Sequence, residues 1–409
     1  MVDYTYKFRL YPNKEQETKL AKHFGCVRFV YNHFLDRRVK LYLEAKEQDL
    51  EKKSLNYNDD ARELTLIKKE ITWLKEVNSQ SLQHALKHLE SGFNRFYKKL
   101  AKFPRFKNRR AKQSFRVPQH VRVEYNKLYI VKFREGIKVK LHRSIEGNIC
   151  NATISKNKAG QYFVCIGVQR HIEKHEPNEN QVGVDLGVKT LVTCSDGRSF
   201  PNIKPYRTLE KKRRILAKTL SRTVKGSHGR EKARRKLARL DLKIVNIRND
   251  HLHKVSHKLV SENQTIVMED LNVKGMLSNR KLSKSIWDCS LYELVRQIKY
   301  KCEWHGREFL QVSRWFPSSK TCGSCGYVND GLTLADREWV CPRCSVKHDR
   351  DMNAAKNILR QGLNQENRTV GTTEIADCLG VRPALSGLLI GSEAPPSLAA
   401  GWFTQIHVS

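Results

Sequence analysis

No apolar run in these 409 residues approaches the roughly 18 that a spanning helix needs, and the opening Met1-Val-Asp-Tyr4 lacks the basic start and apolar stretch of a secretory signal. A soluble chain kept in the cytoplasm, associated with the nucleoid, is the expectation. Acidic residues are scarce as well: 42 Asp and Glu stand against 77 Lys and Arg, a formal charge of +35. That excess requires a polyanionic partner. With a membrane excluded, the partner expected is nucleic acid. Internal repeats are absent. Seven of the eleven cysteines (Cys26, Cys150, Cys165, Cys194, Cys289, Cys302 and Cys378) lack paired spacing, which argues against a disulfide framework and for reduced, mostly buried or inert thiols.

The other four cysteines are paired. Cys322-Gly-Ser-Cys325 is followed after fifteen residues by Cys341-Pro-Arg-Cys344, the spacing of a tetrahedral zinc ribbon in which two tight turns each aim two sulfurs at one ion. Two disulfides are the alternative. Seven residues beyond Cys344, Asp351 stands at the head of a helical stretch, and two more acids stand in apolar runs: Asp185 in Val182-Gly-Val-Asp-Leu-Gly187 and Glu269 at the end of Ile266-Val-Met-Glu269. An ionised carboxylate in such a place is costly unless a cation meets it. Each alone reads as a cap or ion-pair partner. Three converging hard oxygen ligands suit one or two Mg2+ ions that hold a phosphate and activate water, so acidic pocket and basic protein together describe a phosphodiester hydrolase. Asp270, Asp349 and Asp336 are expected as a helix cap, a partner behind the metal ligands and a solvated loop charge, with Arg350 neutralising charge locally.

Texture along the chain suggests several units. Tyr4 to Leu10 alternates as a strand; Asn13 and Gln16 read as a capping box opening helices broken near Gly25. Ser114 to about Val168 holds short alternating segments that read as a small antiparallel barrel, joined by the first strand across the helical insertion. Residues 171–180 look like a linker. A buried hairpin begins at Gln181, and between Pro201 and Asp250 seventeen Lys/Arg face four Asp/Glu, a helical hairpin with a cationic face. A strand follows at Thr265–Met268, then helices at Leu291–Trp304 and Asp351–Gln361. From Gly371 the composition becomes poor in basic residues and rich in Pro, Gly and Ser, the signature of an unstructured tail.

These motifs carry a resemblance. Val182-Gly-Val-Asp-Leu-Gly-Val-Lys189, Val267-Met-Glu-Asp-Leu271, Ser318-Ser-Lys-Thr-Cys-Gly-Ser-Cys-Gly326, Arg337-Glu-Trp-Val-Cys-Pro-Arg-Cys344 and His348-Asp-Arg-Asp-Met-Asn-Ala-Ala-Lys-Asn-Ile358 resemble TnpB, the transposon-encoded relative of type V CRISPR nucleases. Tyr6-Lys-Phe-Arg-Leu-Tyr-Pro12, Ser79-Gln-Ser-Leu-Gln83 and Phe103-Pro-Arg-Phe106 extend it into the amino-terminal half. The resemblance implies a multidomain chain, α+β then α/β: a wedge β-barrel (1–12 and 111–170) with an inserted helical recognition lobe (13–110), then a RuvC-like, RNase H-type domain (181–321, including a basic helical hairpin at 204–262, and 345–367) interrupted by a zinc ribbon (322–344), with an unstructured tail at 368–409. It implies an RNA-guided, Mg2+-dependent DNA endonuclease of a transposable element, cutting next to a short recognised motif; whether it works as a monomer stays open. Asp185, Glu269 and Asp351 fall on the family's catalytic acids; guide RNA, target duplex and displaced strand are the partners implied.

One departure is Ser345, where the family places Gly. Nucleic-acid contacts are expected at Gln80 and Gln83, whose amides suit adenine, and at Lys211, Lys212, Arg213, Arg214, Arg234, Arg235 and Lys236, which equally suit a solvated helix face. Trp315, Phe316 and Trp339 read as packing around the knuckle, with base stacking as the alternative; Tyr97 and Phe106 stay open. Two other functions stay open too: a transposase or recombinase acting directly on transposon ends through an amino-terminal helix-turn-helix turning at Gly25, and a guided DNA binder that does not cut.

Overall fold

The computed structural model describes residues 1–47, 55–109, 112–333 and 336–379, with side chains described through 364 of the last segment. Strand β1 (Val2–Tyr11) buries Tyr6, Phe8 and Leu10 at every second position. Beyond Pro12 the capping box forms as expected: Gln16 N donates to Asn13 Oδ1 at 2.8 Å and Asn13 N to Gln16 Oε1 at 3.2 Å. It opens α1 (Lys14–Glu47), which runs unbroken for 34 residues. The break expected at Gly25, and the helix-turn-helix built on it, are absent. One glycine costs a helix only about 1 kcal/mol, whereas the buried stripe Leu20, Phe24, Val27, Val30 and Phe34 continues across it. Helices α2 (Tyr57–Glu70) and α3 (Ser79–Tyr97), joined by a 3-10 turn at Thr72–Glu76, complete this lobe, and α3 packs on α1.

Six strands follow: β2 (Gln113–Val117), β3 (Arg122–Glu124), β4 (Lys127–Ile130), β5 (Phe133–Lys140), β6 (Asn148–Lys156) and β7 (Tyr162–Arg170). They pair in the order β2-β6-β7-β1-β5-β4-β3. The strand before the helices therefore lies in the middle of the sheet made after them, with Tyr6 opposite Ile166 and Leu10 opposite Val139. The sheet does not close. Its edges β2 and β3 stay unpaired with each other, giving a curled half-barrel where a barrel was expected. Edge strand β3 is three residues long and β4 four, too short to carry the tilt that closure needs, and the concave face is filled instead by α1 and α3 in one continuous core.

The second unit comprises β8 (Gln181–Leu186), β9 (Thr190–Cys194), β10 (Ser199–Pro201), α4 (Pro205–Arg222), α5 (His228–Glu262), β11 (Thr265–Glu269), α6 (Val273–Met276), α7 (Ser283–Cys289), α8 (Leu291–His305), β12 (Glu308–Val312), β13 (Glu338–Val340), β14 (Lys347–Asp349) and α9 (Arg350–Leu379). Strands β8, β11 and β12 run parallel, and β9 and β10 extend the sheet antiparallel in the order β10-β9-β8-β11-β12, a RuvC-like mixed sheet. One face buries Val182, Val184, Ile266 and Met268 against α5 and α8; the other carries α9. Helix and sheet approach to backbone contact there, because a Cβ on Gly183 would lie 2.1 Å from Ala355 O and one on Gly362 2.3 Å from Val267 Cγ1. Residues 368–379, at the start of the segment expected to be unstructured, continue α9; the remainder, 380–409, lies outside the described residues. No helix among the described residues is long and apolar enough to cross a membrane.

Candidate active site and metal cluster

Parallel register builds the acidic site. Gly183 pairs with Val267 and Val184 with Met268, so the pleat puts Asp185 and Glu269, each two residues further on, side by side on the face beneath α9. Ala355 touches Gly183. Four residues back along α9, about 6 Å, stands Asp351, and two residues onward along β8, about 6.6 Å, stands Asp185; both steps lead to the same end of the sheet. Asp185 feels the other two. Burial, followed by the charges of Glu269 and Asp351, pushes the Asp185 carboxyl up to about 7, against the opposing pull of the Leu186 amide and Arg350. Burial also raises Glu269, partly offset by the Ser318 hydroxyl, which donates to its Oε1. Asp351 is engaged by Arg337, whose Nη1 lies 3.3 and 3.4 Å from its two oxygens. Half-buried carboxylates gathered in this way fit a hard divalent cation, although they converge more loosely than the sulfurs described next.

Neighbouring acids exchange the roles expected of them. Asp270 is no helix cap but pairs with Arg314. Asp349 is the cap of α9, accepting from Met352 N at 2.8 Å. Asp336 accepts from the backbone and hydroxyl of Thr333 within its own loop.

Among the described residues, Cys322, Cys325, Cys341 and Cys344 are the one set of three or more candidate ligand atoms all within 4.8 Å of one another. Cys322 and Cys344 sulfurs are 3.6 Å apart, as are those of Cys325 and Cys341, close to the edge of a tetrahedron of metal–sulfur bonds of about 2.3 Å. The cysteines are free, which removes the two-disulfide alternative. Burial opposes the Cys322 thiolate, yet the amides of Cys325 and Ser324 and the His348 ring, 3.0 Å away, bring the thiol down to about 5. Gly326 and Ser345 follow the second cysteine of each turn with φ of +75° and +56°; the serine takes the left-handed conformation that the family's glycine would adopt without strain.

The expected nucleic-acid residues scatter. Gln80 donates to Gln119 Oε1 at 2.9 Å and leaves its own Oε1 without a partner, while Gln83 is exposed on α3. Lys211, Lys212 and Lys236 are exposed; Arg213 pairs with Asp241, Arg214 with Glu210, and Arg234 and Arg235 with Glu231. A cleft of about 1120 Å3 opens between α1, the β6–β7 turn and the α4–α5 turn, lined by Lys22, Arg28, Lys156, Lys158, Arg234 and Arg235 among others. Trp339 is buried in the cysteine cluster as expected, but Trp315 is 86% exposed, and packing does not explain it.

Comparison with known proteins gives the family. A model described as a probable transposase matches residues 163–280, one described as the Cas12f1-like TNB domain matches 292–358, and one described as a helix-turn-helix domain matches 1–47, where this chain has a strand and one unbroken helix. A protein of Streptomyces pristinaespiralis, named as a candidate RNA-guided DNA endonuclease, is 40% identical over 366 residues, 88% of this chain and 89% of the relative. InsQ of Escherichia coli K12, named likewise, is 33% identical over 87% of this chain and 92% of its own length. The chain belongs to the TnpB family of RNA-guided nucleases. A solved complex of Cas12f1 with guide RNA and target DNA covers 87% of this chain and 98% of its own at 14% identity and a TM-score of 0.47, a loose overall likeness.

Within this TnpB protein, several residues that order the site were not singled out from the sequence. Asn353 and Asn357, buried on α9, donate to Thr321 O at 2.7 and 2.6 Å; Asn357 also donates to Ser318 O at 2.9 Å, and Asn353 Oδ1 accepts from Gly323 N at 2.9 Å. They stitch the helix bearing Asp351 to the first cysteine turn. Asparagine at i and i+4 inside a helix, where it is a poor helix former, was the available signal. Ser318, Arg337 and His348 gave none, since each acts across a fold contact.

Proposed function

We propose that the chain is an RNA-guided, Mg2+-dependent endonuclease of a transposable element that hydrolyses target DNA beside a short recognised motif. The observation carrying this reading is the β8–β11 register, which sets Asp185 beside Glu269 with the head of α9 above them, in a chain of charge +35. Asp185, Glu269 and Asp351 are the proposed metal ligands and catalytic acids. Bound there, Mg2+ would supply Lewis-acid stabilisation of the phosphoryl charge and a nucleophilic water. Arg337 then gives up Asp351, and Ser318 orients Glu269. The four cysteines are proposed to hold structural Zn2+, fixing the loop that α9 leans on. Guide, target duplex and displaced strand would be gripped through their phosphates by the basic cleft and hairpin, with pairing to the guide supplying most of the sequence choice. The proposed domain plan is 1–12 with 111–170, 13–110, 181–321 with 345–367, and 322–344.

The test is to purify the chain from cells carrying its native locus, sequence the RNA that accompanies it, and assay target cleavage with and without Mg2+. Asp185→Asn abolishes cleavage while target binding persists. Cleavage surviving in that variant, or in the presence of a chelator, removes the proposed mechanism. The description of one matching family as a transposase favours a second reading, direct action on transposon ends; a preparation free of any defined RNA would support it.

A further inference from the structure

The segment between β12 and the first cysteine turn is short, braced, and carries the most exposed of its aromatic side chains at its middle. Trp315 N donates to Ser313 Oγ at 3.4 Å, Phe316 N to Ser313 O at 3.0 Å and Ser318 N to Phe316 O at 2.8 Å, with Pro317 stiffening the turn. Both flanks are tied to the strand end that bears the acids. On one side the Arg314 guanidinium bonds the Asp270 carboxylate, and Asp270 N donates to Val312 O at 3.0 Å; on the other the Ser318 hydroxyl bonds Glu269. Trp315 therefore projects from a fixed two-point mount at the rim of the acidic site, with 86% of its surface open. Its neighbours behave differently: Phe316 is half-buried, and Trp339 sits inside the cysteine core at 6% exposure.

A large apolar ring held still in water beside a charged site is suited to a flat, π-faced occupant. In a protein with a net charge of +35, the occupant that charge brings and an indole retains is a nucleobase. Paired bases have their faces covered by their neighbours, so a rim-mounted tryptophan engages an unpaired one. We propose that Trp315 is a stacking platform for an unpaired base of the DNA strand being cut, holding the adjoining phosphate over Asp185, Glu269 and Asp351. It is a binding and positioning residue that reads no sequence, because every base offers a π-face. The inference rests on the nuclease reading above and deepens it by assigning where the cut strand is held.

The experiment uses the full-length chain carrying Asp185→Asn, so that the strand is bound and not cut, and a labelled short single strand of DNA in two forms, one intact and one with abasic sugars at its centre. With Trp315 present, the intact strand binds about tenfold or more tighter than the abasic one and quenches part of the tryptophan emission. Trp315→Ala binds both forms at the abasic level, whereas Trp315→Phe keeps the preference for bases and loses the quench. In the cleavage-competent chain, Trp315→Ala raises KM for the strand and Trp315→Phe restores it. Equal binding of the intact strand by Trp315→Ala and its parent overturns the proposal, as does an unchanged quench. Because Trp315 lies on the surface, its replacement leaves the fold intact, and loss of cleavage in Asp185→Asn is scored separately, so stacking can fail while the nuclease reading stands.

Discussion

Among the described residues, the Ser318 hydroxyl is the one side-chain group bonding Glu269, and it opposes the burial that raises that carboxyl. Replacing Ser318 by Ala leaves Glu269 with burial alone, so, with Glu269 in its proposed role as a metal ligand, cleavage falls roughly tenfold or more, the usual cost of losing a partner behind such a ligand. Threonine keeps the hydroxyl and most of the rate. Single-turnover cleavage at saturating target separates the two variants, and an Ala variant as fast as its parent would refute the role. The backbone carbonyl of residue 318 still accepts from Asn357, so the effect belongs to the hydroxyl. Local reading could not reach this pair. Serine in a loop before a cysteine turn has many uses, and only the approach of that loop to β11 selects one.

At the scale of elements, α9 and β8 depend on an absent side chain. A methyl on Gly183 would lie 2.1 Å from the Ala355 carbonyl oxygen, and neither backbone has a flexible end to give way. Gly183→Ala lifts the helix that carries Asp351, at a cost of about 3 kcal/mol and with loss of cleavage. Gly25→Ala is the control. It meets nothing within 4 Å inside α1 and stabilises by about 0.5–1 kcal/mol. Denaturant unfolding of the two variants measures both, and a Gly183→Ala protein as stable and active as its parent would show that the close approach does not matter.

For the molecule as a whole, acid acts on the amino-terminal unit. Its His23, His84 and His88 are all lowered, first by burial, with His84 brought to about 4. A histidine depressed in the folded state binds fewer protons than it does unfolded; its stabilising share is complete above the unfolded value near 6.5 and is lost as pH falls toward the folded value. Between pH 7.5 and 5.5 the share of His84 drops by about 1 kcal/mol. Thermal melts across that window show the amino-terminal transition moving to lower temperature, and His84→Gln reduces the movement. A transition that does not move would mean these rings are solvated. The other buried thiols play no part in this window, since burial holds Cys26 and Cys289 up to about 11 and Cys194 and Cys302 up to about 12.

Composition and short spacing settled a good deal by themselves. The charge excess is a matter of composition, and the two paired cysteine turns and the Asn13–Gln16 cap are carried by residues near one another in the chain, where i to i+3 geometry is enough. Tertiary structure decided the rest. Asp185 and Glu269 are neighbours because two distant strands align in parallel at one register; Asp351 joins them because Gly183 and Gly362 let a helix lie on those strands; the first sheet stays open because its last strands are short and helices fill its hollow; and Trp315 stands in solvent because both flanks of its loop are pinned to the acidic edge. Periodicity fixes which face of an element is apolar, but the choice of the surface it meets, and how closely, is made only when elements far apart in sequence compete for the same space.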